Sequence, residues 1–221
     1  MARGARTPNY KNNITYCMKI ISLRGFSLIE VLVAMAILAT GLLGVAGLIV
    51  KGQRATYEAY QRQQALYLAQ DMAERIRSNA LSAADYVTGT DNAAANMPGN
   101  GGVPVPGTNC KLVECTPAQL QIYDRYAWDQ QLLGATEMTG GNKVGGIIKA
   151  KGCVESTDVP NRLVVSVAWQ GDVATTAPSA EVCTDAAGNP WPTSDCGVGQ
   201  YGDENRRRLV SLCIGMRQTA P

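Results

Sequence analysis

The sequence predicts an α+β fold: one long N-terminal helix, apolar in its first half and amphipathic in its second, packed on a small antiparallel sheet and stapled by disulfides. Three observations carry this prediction. From Phe26 to Val50 run 25 residues of which only Glu30 is charged. No proline lies between Pro8 and Pro98, so nothing breaks a helix that continues past Val50. Six of the seven cysteines, and three alternating apolar segments, lie beyond residue 100.

The apolar half of the helix is long enough to cross a membrane. At 1.5 Å per residue it spans roughly 38 Å, against a hydrocarbon core of ~30 Å. A carboxylate at the centre of such a helix costs ~2.5–3.5 kcal/mol. Glu30 sits near one end, where the cost is smaller, yet it still asks for a partner. Gly41, Gly44 and Gly47 recur at every third position. Each costs about 1 kcal/mol relative to Ala, and their spacing puts them near one face, where another helix can approach or the helix can loosen.

Residues 1–25 form the expected leader. They carry Arg3, Arg6, Lys11, Lys19 and Arg24 and no acid. The rest of the chain has 15 basic and 18 acidic residues. That asymmetry orients the span with its N-terminus in the cytoplasm and its following domain exported. Met18 opens a compact basic leader of its own and is the expected true start, which also accounts for the odd Cys17. A cleaved secretory signal is the competing reading. The length of the run, Glu30 inside it and the continuing helix weigh against it. The mildly acidic exported part gives no reason to expect nucleic-acid binding.

After Val50 the helix turns amphipathic over residues 51–80. Leu66, Ala69, Ala73, Ile76 and Ala80 follow helical spacing, and Glu58/Arg62 and Asp71/Arg75 stand at i,i+4. The whole helix is expected from about Phe26 to about Asn79. Residues 81–221 form the expected globular α+β domain. Gly-, Asn- and Pro-rich sequence over 81–109 reads as a connector. Pro117 opens a second helix to about Leu133. Strand-like runs follow at Gly146–Val154, Leu163–Trp169 and Leu209–Met216. The first two are separated by a hairpin-length linker and should pair antiparallel. Residues 171–205 form a long loop that needs stapling.

There is no histidine. This removes Ser-His-Asp and Cys-His catalysis and imidazole-ligated metal sites. No Walker loop, nucleophile elbow or C-x-x-C pair is present either. No catalytic residue, metal or cofactor is therefore expected, and a membrane-anchored enzyme is the remotest reading. Cysteines confined to the far side of a span read as disulfides of an oxidising compartment. The expected pairs are Cys110–Cys115, Cys153–Cys213 and Cys183–Cys196. The first and third are neighbours in sequence. Cys153 and Cys213 lie on the faces of their strands opposite the apolar ones, and would meet if those strands adjoin.

Gly25-Phe26-Ser27-Leu28-Ile29-Glu30-Val31, after a basic leader and before about twenty apolar positions, resembles the N-terminus of type IV pilins and type II secretion pseudopilins. The segments Gly145–Val154 and Leu163–Gly171, and the helix carrying Trp128, resemble PilV-type minor pilins. The resemblance implies cleavage between Gly25 and Phe26 by prepilin peptidase and N-methylation of Phe26. It implies that Glu30 meets the Phe26 amine of a neighbouring subunit during assembly. Implied partners are other minor pilins, the major pilin, the inner-membrane assembly platform and, before assembly, membrane lipid. Implied locations are the bacterial inner membrane, single-pass, and then the pilus, near its tip. A minor pilin that initiates or modifies pilus assembly is the expected function, and a type II secretion pseudopilin is the alternative. Many major pilins bend this helix with a proline. Here only the three glycines could loosen it, which suits a minor pilin or pseudopilin.

Overall fold

The computed structural model describes residues 25–92, 94, 96–135, 138–143, 145–179 and 183–216. The leader 1–24, with Cys17 and Met18, lies outside the described residues. The chain divides between Ile49 and Val50 into two compact units.

Helix α1 spans Leu28–Ser78. In the first unit its side chains are exposed on every face. In the second unit one stripe is buried: Gln61, Ala65, Leu68, Ala69, Met72, Ala73 and Ile76. The stripe differs from the expected one by part of a turn. Leu66 is 37% exposed and Ala80 is exposed. Ala65, Leu68, Ala69, Met72, Ala73 and Ile76 of this stripe share the main core with Trp128 and Leu132 of the second helix and with sheet residues. The Gln61 amide is buried on this stripe without a hydrogen-bond partner among the described residues. Asn79 ends the helix by leaving helical geometry (φ −118°, ψ 46°), and a 3-10 helix, Ala80–Tyr86, follows.

Helix α2, Pro117–Leu132, starts on a capping box. The Thr116 hydroxyl accepts from the Gln119 N–H, and the Gln119 side chain accepts from the Thr116 N–H. Such a cap contributes ~1 kcal/mol, and Pro117 suits the first turn. The buried face is Gln121, Asp124, Trp128, Asp129 and Leu132. Trp128 is fully buried, and its indole N–H donates to the Leu68 carbonyl at 3.0 Å.

Two short strands, β1 (Met138–Thr139) and β2 (Asn142–Lys143), form a small antiparallel pair around Gly140-Gly141. The main sheet is β3 (Lys151–Ser156), β4 (Arg162–Gln170) and β5 (Arg207–Gly215), antiparallel in the order β3-β4-β5. Residues 146–150, expected in the first strand, lie outside any strand. Glycine explains this at Gly146, where an added Cβ would stand 3.0 Å from the Gly134 Cα.

Strand β4 is buried on both faces. Leu163, Val165, Val167 and Trp169 join Met72, Ile76 and Trp128 in the main core. On the opposite face Ala168 joins Cys153, Cys196, Tyr201 and Met97 in a second cluster. The Ser166 and Ser211 hydroxyls, on that same second face, bond across β4 and β5 at 2.8 Å. The long loop after β4 therefore forms a third layer, and β4 reads as a near-continuous apolar run because both sides are covered.

The disulfides fix that layer. Cys110 joins Cys115, Cys153 joins Cys196 and Cys183 joins Cys213. The expected Cys153–Cys213 and Cys183–Cys196 pairs are corrected. Cys153 is opposite Ser166 of β4, and Cys213 is opposite Val164 of β4. With β4 between them the two cysteines are two strand spacings apart, roughly 9–10 Å, beyond the reach of a disulfide. Each loop cysteine instead bonds a different edge strand, so the loop is tied across the sheet rather than to itself.

Glu155, on β3, accepts from the Ser194 hydroxyl of this layer. Burial pushes its carboxyl above the usual carboxylate range. The Ser194 hydrogen bond opposes that shift and the Asp195 charge adds to it. A raised folded-state pKa makes folding take up a proton. The favourable contribution is therefore complete below the ordinary value of 4.5 and is lost as pH rises through the folded value. Glu155→Gln is expected to raise Tm by a few degrees at pH 7–8 and to give no gain below pH 4. Thermal melts of both proteins at the two pH values check this, and an equal gain at both would refute it.

Candidate processing and assembly site

The first residues of the described chain, Gly25, Phe26 and Ser27, precede α1 outside any helix or strand. The Ser27 carbonyl accepts from the N–H groups of Glu30 (3.0 Å) and Val31 (3.3 Å) and so starts the helix. At Gly25 an added Cβ would meet nothing within 4 Å among the described residues. Phe26 is 82% exposed. Both residues flanking this peptide are therefore exposed among the described residues.

Glu30 lies in the first turn of α1, where the positive end of the helix dipole favours a carboxylate. Its side chain is exposed and has no ion-pair partner among the described residues. Around it Leu28, Ile29, Val31 and Leu32 are all exposed. Among the described residues α1 is the one helix long and apolar enough to cross a membrane. The described residues bury none of this apolar stretch, which calls for lipid or other helices to cover it.

At Gly41, Gly44 and Gly47 an added Cβ would meet nothing within 4 Å. Nothing among the described residues requires glycine there. The nearby Thr40 hydroxyl bonds back to the carbonyls of Ala36 and Ile37, which satisfies it inside its own helix.

One polar network was only partly legible in the sequence. Arg75 donates to Asp71, as the i,i+4 spacing suggests, and equally to Asp124 of α2, both at 2.8 Å. The second Asp124 oxygen accepts from the Tyr86 hydroxyl, and the Asn79 amide donates to that hydroxyl and to the Pro117 carbonyl. Burial disfavours the Arg75 cation, but the two carboxylates more than offset it and its pKa is raised. Burial, and then Asp124, raise the Tyr86 pKa. The network locks the end of α1, the 3-10 helix and α2 into one piece. The other expected pair changes partner: Glu58 bonds Arg208 of β5 at 3.3 Å rather than Arg62.

Comparison with known families agrees with the N-terminal geometry. Residues 23–46 match the prokaryotic N-terminal methylation motif. Residues 47–126 match the type IV pilin Tt1218 family model. The chain matches no curated protein and no solved structure. The two matches are contiguous, cover α1 and the start of the domain beyond it, and sit on an α+β fold with one apolar N-terminal helix; over residues 23–126 the chain is similar to type IV pilins.

Proposed function

We propose that this chain is a minor pilin that takes part in initiating or modifying type IV pilus assembly. Prepilin peptidase cuts between Gly25 and Phe26, and the new Phe26 amine is methylated. Residues 26–50 anchor the protein in the inner membrane and later enter the fibre core, 51–80 carry the amphipathic half of the helix, and 81–221 form the periplasmic domain. Its role is structural rather than catalytic. Its partners are the peptidase, other minor pilins, the major pilin and the assembly platform.

The observation that carries this reading is Glu30, an exposed carboxylate without an ion-pair partner among the described residues, at the start of an apolar helix that those residues leave uncovered. Cleavage at Gly25 creates a positive amine four residues away along the sequence. The two charges cannot remain unpaired in an apolar bundle, and pairing between subunits neutralises both. Pairing also sets the register of an incoming subunit.

Glu30→Ala is expected to leave leader removal intact, seen as the mature size on an immunoblot. Pilus number, counted by electron microscopy, should fall by about tenfold or more, since breaking a buried ion pair costs roughly 3–5 kcal/mol. Normal piliation in that strain counts against the assembly role. Normal piliation with lost secretion of hydrolases would instead favour a type II secretion pseudopilin.

A further inference from the structure

A cavity of about 510 Å³ opens on the second unit, between α1, the end of α2 and the turn that precedes β3. Its size falls within the range of small-molecule sites. Tyr60, Gln63, Gln64 and Tyr67 reach it from one face of α1, as spacings of three, four and seven dictate. Gln131 and the Gly145–Gly146 backbone supply the opposite wall.

That wall is set by backbone packing. Gly134 takes φ +70°, and a Cβ on it would fall 2.0 Å from the Gly145 carbonyl oxygen. Only glycine allows the turn to close against the end of α2 at this distance. On the α1 side, the Gln64 amide donates to the Tyr60 hydroxyl at 2.5 Å and orients that ring. Tyr60 and Tyr67 are 56% and 64% exposed, so both rings are available.

The lining contains no charged side chain among the described residues. It offers two aromatic rings, three primary amides and a glycine backbone. We propose that this cavity binds a neutral pyranose sugar, at the scale of a disaccharide. Pyranose rings present a flat C–H face to a tyrosine and hydroxyls that both donate and accept, which is what amide side chains need.

Two other ligand classes fit less well. The Gln131 carbonyl oxygen has no hydrogen-bond donor among the described residues. A proline-rich peptide also docks on aromatic grooves, but its proline residues lack the N–H that this oxygen calls for. A quaternary ammonium needs rings converging on one point. Tyr60 and Tyr67 are two helical turns apart, roughly 10 Å along the axis, and form no cage.

The site is independent of the pilus reading, because it lies within the folded chain and not at the processed N-terminus. The test uses the full chain in a detergent without a sugar headgroup. Cellobiose and N,N′-diacetylchitobiose are titrated separately and followed by saturation-transfer NMR and calorimetry. Saturable binding in the millimolar range or tighter is expected for at least one. Tyr67→Ala and Gln131→Leu should each weaken it about fivefold or more, with circular dichroism and melting temperature unchanged. Glucuronic acid should bind no better than the neutral sugars. Absence of saturable binding by both disaccharides overturns the proposal. So does binding that survives both substitutions, or tighter Tyr67-dependent binding of a proline-rich peptide.

Discussion

Trp128→Ala is expected to remove about 3–5 kcal/mol of stability, a large share of the ~5–15 kcal/mol that holds a typical domain folded. The indole is the largest fully buried side chain, and from α2 it meets α1 and β3. Its N–H donates to the Leu68 carbonyl on α1. Its ring lies directly over Gly152 of β3, where an added Cβ would stand 2.4 Å from the ring edge. Truncation therefore opens a cavity where α1, α2 and β3 meet, and the neighbours cannot close it without breaking the sheet register. With roughly 2–4 °C per kcal/mol for a domain of this size, Tm should fall by about 10 °C. Trp191, half-buried in the long loop, is the control, and Trp191→Ala should move Tm by far less. Gly152→Ala should reproduce much of the loss from the other side of the contact. Equal melting of the two tryptophan variants would remove Trp128 from the centre of the core.

Replacing Cys153 and Cys196 together by serine is expected to cost ~4 kcal/mol. The bridge closes a separation of 43 residues, and loop-closure entropy of the unfolded chain grows with that length. Both sulfurs are also fully buried against Ala168 and Tyr201, so two polar hydroxyls would replace them in an apolar cluster. Removing Cys110–Cys115, which closes only five residues, should cost about half as much. Denaturant melts of the two double variants give the comparison. Mass spectrometry of unreduced peptides tests the pairing itself, and a peptide joining Cys153 to Cys213 would overturn it. Because the loop is tied to both edge strands, losing one bridge should loosen the sheet's covered face before it affects the packing of α1.

The local elements were largely legible. The apolar run and the absence of proline mark α1, Pro117 marks the start of α2, and alternation marks β4 and β5. In each case the signal is periodicity or a cap, which neighbouring residues set among themselves. The α+β class followed from their order. The N-terminal motif was legible because it is linear: its spacing along the chain is its content.

What the sequence alone could not determine was everything that depends on which strand lies beside which. Cys153 and Cys213 occupy the expected faces, yet β4 separates them, so each must find a partner in the loop. Asp124 shows no helical partner in the sequence, since Arg75 and Tyr86 reach it from elements 49 and 38 residues away. Glu58 prefers Arg208 across 150 residues to Arg62 one turn away. Lining a cavity with Tyr60, Tyr67 and Gln131 likewise required α1 and α2 to be packed. Helices and strands arise from short-range geometry, which the order of residues encodes directly. Disulfide partners, buried ion pairs and cavities arise from contacts between distant segments, and these exist only once the tertiary packing has chosen their neighbours.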